Sequence, residues 1–202
     1  MIFLFLQTNP LDMQTHYLEG IQKQFRYYKV LAEKTFHQLN DEELFHQPSE
    51  ESNSISIIVR HLTGNMLSRF TDFLTSDGEK DWRHRDQEFE KGFGDRSEMM
   101  IKWEEAWKIV FQAIETVEDI EKLIYIRNQG HTVYEALNRQ LAHYAYHVGQ
   151  IVYLGKFYKD KDWKSLSIPK NQSIEFNTKK FSKAKSKGHF TDDFLSDEAR
   201  SH

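Results

Sequence analysis

His143 and His147 stand four residues apart in the run Gln140-Leu-Ala-His-Tyr-Ala-Tyr-His-Val-Gly-Gln150. Four residues is just over one helical turn, so on a helix both imidazoles project from the same side. Two imidazoles so placed can chelate one divalent ion. A third candidate ligand, His61, lies far upstream in an apolar helical run, Ile55-Ser-Ile-Ile-Val-Arg-His-Leu-Thr-Gly-Asn65. Three histidines from two helices leave one coordination position open, which a catalytic metal needs. Spacing alone leaves a second reading open, in which His143 and His147 are hydrogen-bonded boundary residues of an ordinary helical domain.

The chain has no cysteine. Disulfides, thiolate metal sites and a cysteine nucleophile are therefore excluded, and a metal here must use His, Asp, Glu or water. Any thiol chemistry needs a thiol that arrives as a small molecule.

A step of about 100° per residue places Ala136, Gln140, His143, His147 and Leu154 in one narrow arc. Val133, Leu137, Tyr144, Val148 and Ile151 continue the apolar side. The two histidines thus sit at the edge of the buried face, with Arg139 and Gln150 flanking them on the polar side. Three further residues are candidates to line the pocket. Asn65 lies one turn beyond His61. Arg139 lies one turn before His143 and suits a substrate carboxylate, although a surface ion pair explains it equally well. Tyr144 neighbours the ligands, yet the wheel turns it toward the apolar side. His84 falls in a long connection and His131 in a loop; both are weaker candidates.

Four helical segments must position these residues. The first is expected over about residues 12–39, with Ile21, Phe25, Tyr28, Ala32, Thr35 and Leu39 stepping by fours and threes. Asn9 and Pro10 suit its cap and first turn. The second is expected over about 54–75 and the third over about 96–118, where Asp95 and Glu98 form a capping pair. The fourth is expected over about 133–158, opened by a Thr132–Glu135 capping box. All three prolines fall outside these helix interiors, as helix geometry requires. No segment shows sustained strand alternation.

The pattern predicts an all-α domain. Residues 40–53 read as a short turn between the first two helices. Residues 76–95 are long and polar, and a link of that length can cross a bundle and place the second and third helices parallel. Its core, Asp81-Trp82-Arg83-His84-Arg85-Asp86, is expected as a lid over one bundle end. After Tyr158 the composition shifts: residues 165–188 hold six lysines and one acidic residue. Residues 159–202 are therefore read as a polar extension, poorly ordered or loosely docked beyond residue 165.

A formal net charge of −4 over 202 residues gives no reason to expect nucleic-acid or membrane-surface binding. The opening Met-Ile-Phe-Leu-Phe-Leu is too short for a signal peptide or a membrane span. A cytoplasmic protein is expected, with Met13 an alternative start.

Ile-Val-Arg-His61-Leu in the second helix, together with His143-Tyr-Ala-Tyr-His147-Val-Gly-Gln150-Ile in the fourth, resembles the DinB-like (YfiT-like) superfamily of metal-binding four-helix bundles. The resemblance covers about residues 12–158. It implies an up-down-down-up bundle with a long crossover between helices two and three, a His61/His143/His147 metal site and homodimerisation. The aromatic-rich first and third helices are the expected source of an apolar dimer interface. Some members of that superfamily are transferases or isomerases that use a low-molecular-weight thiol such as bacillithiol or mycothiol.

Two functions follow as expectations. One is a divalent-metal-dependent enzyme, holding Zn²⁺ or else Ni²⁺ or Fe²⁺, that acts on a small molecule as a thiol-dependent S-transferase or a related hydrolase. The alternative is a non-catalytic dimeric bundle with a structural or incidental metal, serving as a stress-response binding module. A fully closed site would favour the second.

Overall fold

A computed structural model describes residues 10–195. The N-terminal apolar run, the Asn9 cap and the last residues of the C-terminal extension lie outside the described residues. Four long helices dominate: α1 (Pro10–Phe36), α3 (Ile55–Phe70), α4 (Arg96–Glu115) and α5 (Val133–Lys159). Three shorter ones, α2 (Asp41–Phe45), α6 (Ser173–Phe181) and α7 (Asp192–Leu195), lie in the connection after α1 and in the C-terminal extension. The chain is mostly helical, as its periodicity predicts. No helix among the described residues is long and apolar enough to cross a membrane.

The caps follow the local chemistry. Ser54 accepts from the Ile57 N–H to start α3, and Asp95 accepts from Glu98 N–H to start α4. Thr132 and Glu135 form a reciprocal capping box at the start of α5. Such caps are typically worth about 1 kcal/mol each. They fix where His61 and the His143–His147 pair fall along their helices.

The four long helices enclose one core. α1 runs along α5 and α3 along α4, with smaller contacts of α3 on α5 and α1 on α4. Phe25, Phe36, Trp103, Trp107 and Tyr144 are almost wholly buried and pack ring against ring. Burying a large apolar side chain contributes roughly 1.5–3 kcal/mol, so this aromatic cluster compensates for the modest aliphatic content. Its members on α1 and α4, Phe25, Phe36, Trp103 and Trp107, point inward, while Tyr146, Tyr153 and Phe157 on α5 are exposed.

Two connections differ from their sequence reading. Residues 40–53 are more than a turn, because Asn40 and Glu43 form a capping box that starts the one-turn helix α2. Arg96 reaches Asp41 and the carbonyls of Phe36 and Leu39, tying the start of α4 to that corner.

Residues 123–132 form an antiparallel hairpin, β1 (Leu123–Ile126) with β2 (Gln129–Thr132). His131 therefore lies in a strand rather than a loop. Arg127 and Asn128 both have positive φ, 55° and 60°, as a two-residue type I′ turn demands. Asp77 holds this turn: its Oδ1 accepts from the Arg127 N–H and its Oδ2 from the Asn128 N–H, both at 2.8 Å. Burial works against ionisation of Asp77, but the N–H groups of Asn128, Glu79 and Arg127 outweigh it and hold the carboxyl below the ordinary aspartate range.

The C-terminal extension docks over a short stretch. Phe190 and Phe194 pack on Tyr27 of α1, and Lys23 meets Asp192 at 2.8 Å. Helix α6 buries no residue.

Candidate metal centre

His61 on α3 and the His143–His147 pair on α5 converge. Their ligand-capable nitrogens lie within 4.8 Å of one another. The Nε2 atoms of His61 and His143 are 3.2 Å apart. Two imidazole nitrogens sharing a tetrahedral zinc stand roughly 3.3 Å apart at ordinary Zn–N lengths, so the spacing fits such an ion.

Two of the three rings are oriented by a second partner. His61 Nδ1 is 2.9 Å from Glu88 Oε2, and His147 Nδ1 is 2.8 Å from Gln150 Oε1. Each Nδ1–H donates to its oxygen, which leaves Nε2 as the lone-pair nitrogen facing the centre. Metal-ligating histidines are commonly fixed in this way. His143 Nδ1 is buried without a partner.

The electrostatics favour neutral rings at His143 and His147. Burial, then repulsion from His147, His61 and nearby arginines, depresses the His143 pKa to about 3. Burial also lowers that of His147, although the Gln150 hydrogen bond opposes it. Neutral imidazoles are the form that ligates a cation.

Glu88 comes from the long connection between α3 and α4 and is buried. Arg83 donates from Nε to Oε1 at 2.8 Å and from Nη2 to Oε2 at 2.9 Å. Burial opposes the charge on Glu88, but His61 and Arg83 outweigh it and hold the carboxyl below its usual range. Gly64, one turn beyond His61, makes room: a Cβ there would overlap the Glu88 carboxylate. Phe89 stacks near His61 at 4.6 Å between ring centroids. The connection expected as a lid thus packs its Arg83, Glu88 and Phe89 against the site, while His84 stays exposed.

A cavity of about 450 Å³ opens beside the histidines. Asn65 and Arg139 line it, as do Gln140 and Tyr146. Tyr144 does not. It is fully buried between Phe25 and Trp107, its hydroxyl has no hydrogen-bond partner, and burial drives its pKa far upward. The wheel already turned Tyr144 to the apolar side, and the core claims it.

Sequence reading missed Glu88, Arg83, Arg69 and Arg127. A mid-helix glycine was the available signal for the first. Gly costs about 1 kcal/mol against Ala inside a helix, so Gly64 marks a close approach that the chain keeps room for.

Fold and site together define a helical protein with a three-histidine centre able to hold a divalent ion. The chain belongs to the family described as "Protein of unknown function (DUF1572)", whose model matches residues 12–172. Neither a curated protein nor a solved structure gives a match.

Proposed function

We propose that this protein is a divalent-metal-dependent enzyme that acts on a small molecule, in the manner of a low-molecular-weight-thiol-dependent S-transferase or a related hydrolase. We read its four long helices as an up-down-down-up bundle with the 71–95 connection as the crossover. The observation that carries the reading is the convergence of three imidazoles beside an open cavity. The resemblance of the His61 and His143–His147 segments to DinB-like metal-binding bundles supports it.

Zinc suits three neutral nitrogen donors best, with nickel or iron as alternatives. When bound, such an ion supplies Lewis acidity that makes an attacking water or thiol ionise near neutral pH. The chain's own residues do the rest. His61, His143 and His147 hold the ion, and Glu88 and Gln150 fix two of the rings. Phe89 shields one side of His61 from water. With no cysteine in the chain, a thiol nucleophile arrives as a cosubstrate. The open cavity is what a closed structural site lacks, which favours catalysis over a purely structural ion.

The test is turnover. Zinc- or nickel-loaded protein is incubated with bacillithiol and a small electrophile such as monochlorobimane, and adduct formation is followed against His147→Ala. Metal-dependent adduct formation lost in the variant supports the transferase reading. Equal rates in both, or none above the uncatalysed reaction, contradict it.

A further inference from the structure

The cavity beside the histidines is lined by arginine and by no acidic residue. Arg69, Arg83, Arg85, Arg127 and Arg139 reach it from α3, the 71–95 connection, the hairpin turn and α5. Two carboxylates stand behind this wall. Glu79 pairs with Arg69, Arg127 and Arg83, and Glu88 pairs with Arg83. Three arginines thus share two acids. Arg85 lies over the Phe89 ring, and among the described residues its ion-pair partner is the exposed Asp86, at 3.4 Å. Arg139 has no ion-pair partner among the described residues and touches His131 at a weak 3.4 Å.

This charge is local. The whole chain is acidic, at −4, yet one cavity gathers five guanidinium groups around three imidazoles. A divalent ion on the histidines would add to the excess. Unpaired guanidinium groups in a concave site match carboxylate and phosphate oxygens, which they bind in pairs of parallel hydrogen bonds.

A second observation marks the cavity as one that takes a ligand with a donor group beside its anion. Asn65 and Gln140 line this cavity and are more than nine-tenths buried, and the side-chain carbonyl oxygen of each has no hydrogen-bond partner. Buried polar atoms are normally satisfied. Those two oxygens are placed for a donor on a ligand or for a water the ligand carries in.

We propose that the cavity is an oxyanion-binding site, and that the small molecule it takes carries a carboxylate or phosphate group held by Arg139 and Arg127 at the mouth. This deepens the metalloenzyme reading and rests on it for the role of the cavity as the substrate site. Arg69 and Arg83, both buried and braced by Glu79 and Glu88, form the fixed inner wall. Arg127, held to Glu79, and Arg139 are exposed at the mouth of the cavity.

Calorimetric titration of the full chain, with and without zinc, tests this using succinate, its neutral diamide succinamide, and inorganic phosphate. Zinc content is measured on the same samples. Binding of succinate or of phosphate is expected, with none for succinamide, and the stronger of the two anions names the group the site prefers. Arg139→Gln and Arg127→Gln lie on the surface and are expected to keep fold and zinc content while weakening anion binding about tenfold or more. Anion binding without zinc binding would support this site and condemn the metal reading. No anion binding up to about 10 mM, a level corresponding to very weak affinity, would overturn the proposal. So would equal binding of succinamide, or unchanged affinity in both variants.

Discussion

Glu88 Oε2 lies 2.9 Å from His61 Nδ1, although the two residues are 27 positions apart. Arg83 holds both oxygens of the same carboxylate. The ring of His61 is thus fixed in orientation and tautomer, with Nε2 turned toward His143 and His147.

Removing that carboxylate should loosen the metal. In Glu88→Gln, zinc affinity measured by chelator competition is expected to fall at least about tenfold, the usual effect of losing a partner behind a ligand histidine. Circular dichroism should stay unchanged. Glu88→Ala is expected to cost more in stability, about 3 kcal/mol by chemical denaturation, because it leaves the Arg83 side chain with only its longer contact to Glu79, at 3.6 Å. Equal zinc affinity in wild type and Glu88→Gln would show that Glu88 does not position His61.

Gly64→Ala separates helix propensity from the site. Alanine should favour α3 by about 1 kcal/mol. Its methyl would meet the Glu88 carboxylate and push it off His61. The expected result is weaker zinc binding despite an intact helix signal. A variant that is more stable and binds zinc as well as wild type would mean the carboxylate shifts without consequence.

Much of this was legible in the sequence, for physical reasons that also mark where legibility ended. Periodicity and caps at Asp95 and Thr132 located the helices because those signals are local. The i,i+4 spacing paired His143 with His147 for the same reason. The hairpin escaped because its strands are four residues each, too short for alternation to stand out, and because Arg127–Asn128 makes its turn without the usual glycine. Glu88 and the arginines escaped because they converge from separate elements. Nothing in a polar connection announces which of its charges folds inward. Tyr144 shows the opposite case, where adjacency to His143 suggested the pocket and its face of the helix assigned it to the core.

Tyr144→Phe tests that assignment. The hydroxyl is buried with no partner, so its loss should be neutral or stabilising by up to about 1 kcal/mol in thermal unfolding. Zinc content should not change. A loss of zinc would return Tyr144 to the site.

Asp77 predicts an acid dependence of stability. Its pKa is lower in the folded chain than in the unfolded one, so its contribution is full above the ordinary aspartate value of about 3.9 and is lost as pH falls through the folded value. Between about pH 5 and pH 3, the melting temperature of Asp77→Asn should therefore fall less steeply than that of wild type. Parallel profiles would mean that the hairpin turn does not depend on the charge.

The central claim is that His61, His143 and His147 share one ion. Elemental analysis after exposure to Zn²⁺ and Ni²⁺ and removal of free metal tests it most directly, with His61→Ala and His147→Ala beside wild type. About one tightly held ion per chain is expected in wild type, as a single three-histidine site requires, with its loss in both variants and the fold retained. A folded wild-type chain that binds no metal, or variants that bind as much as wild type, would contradict it.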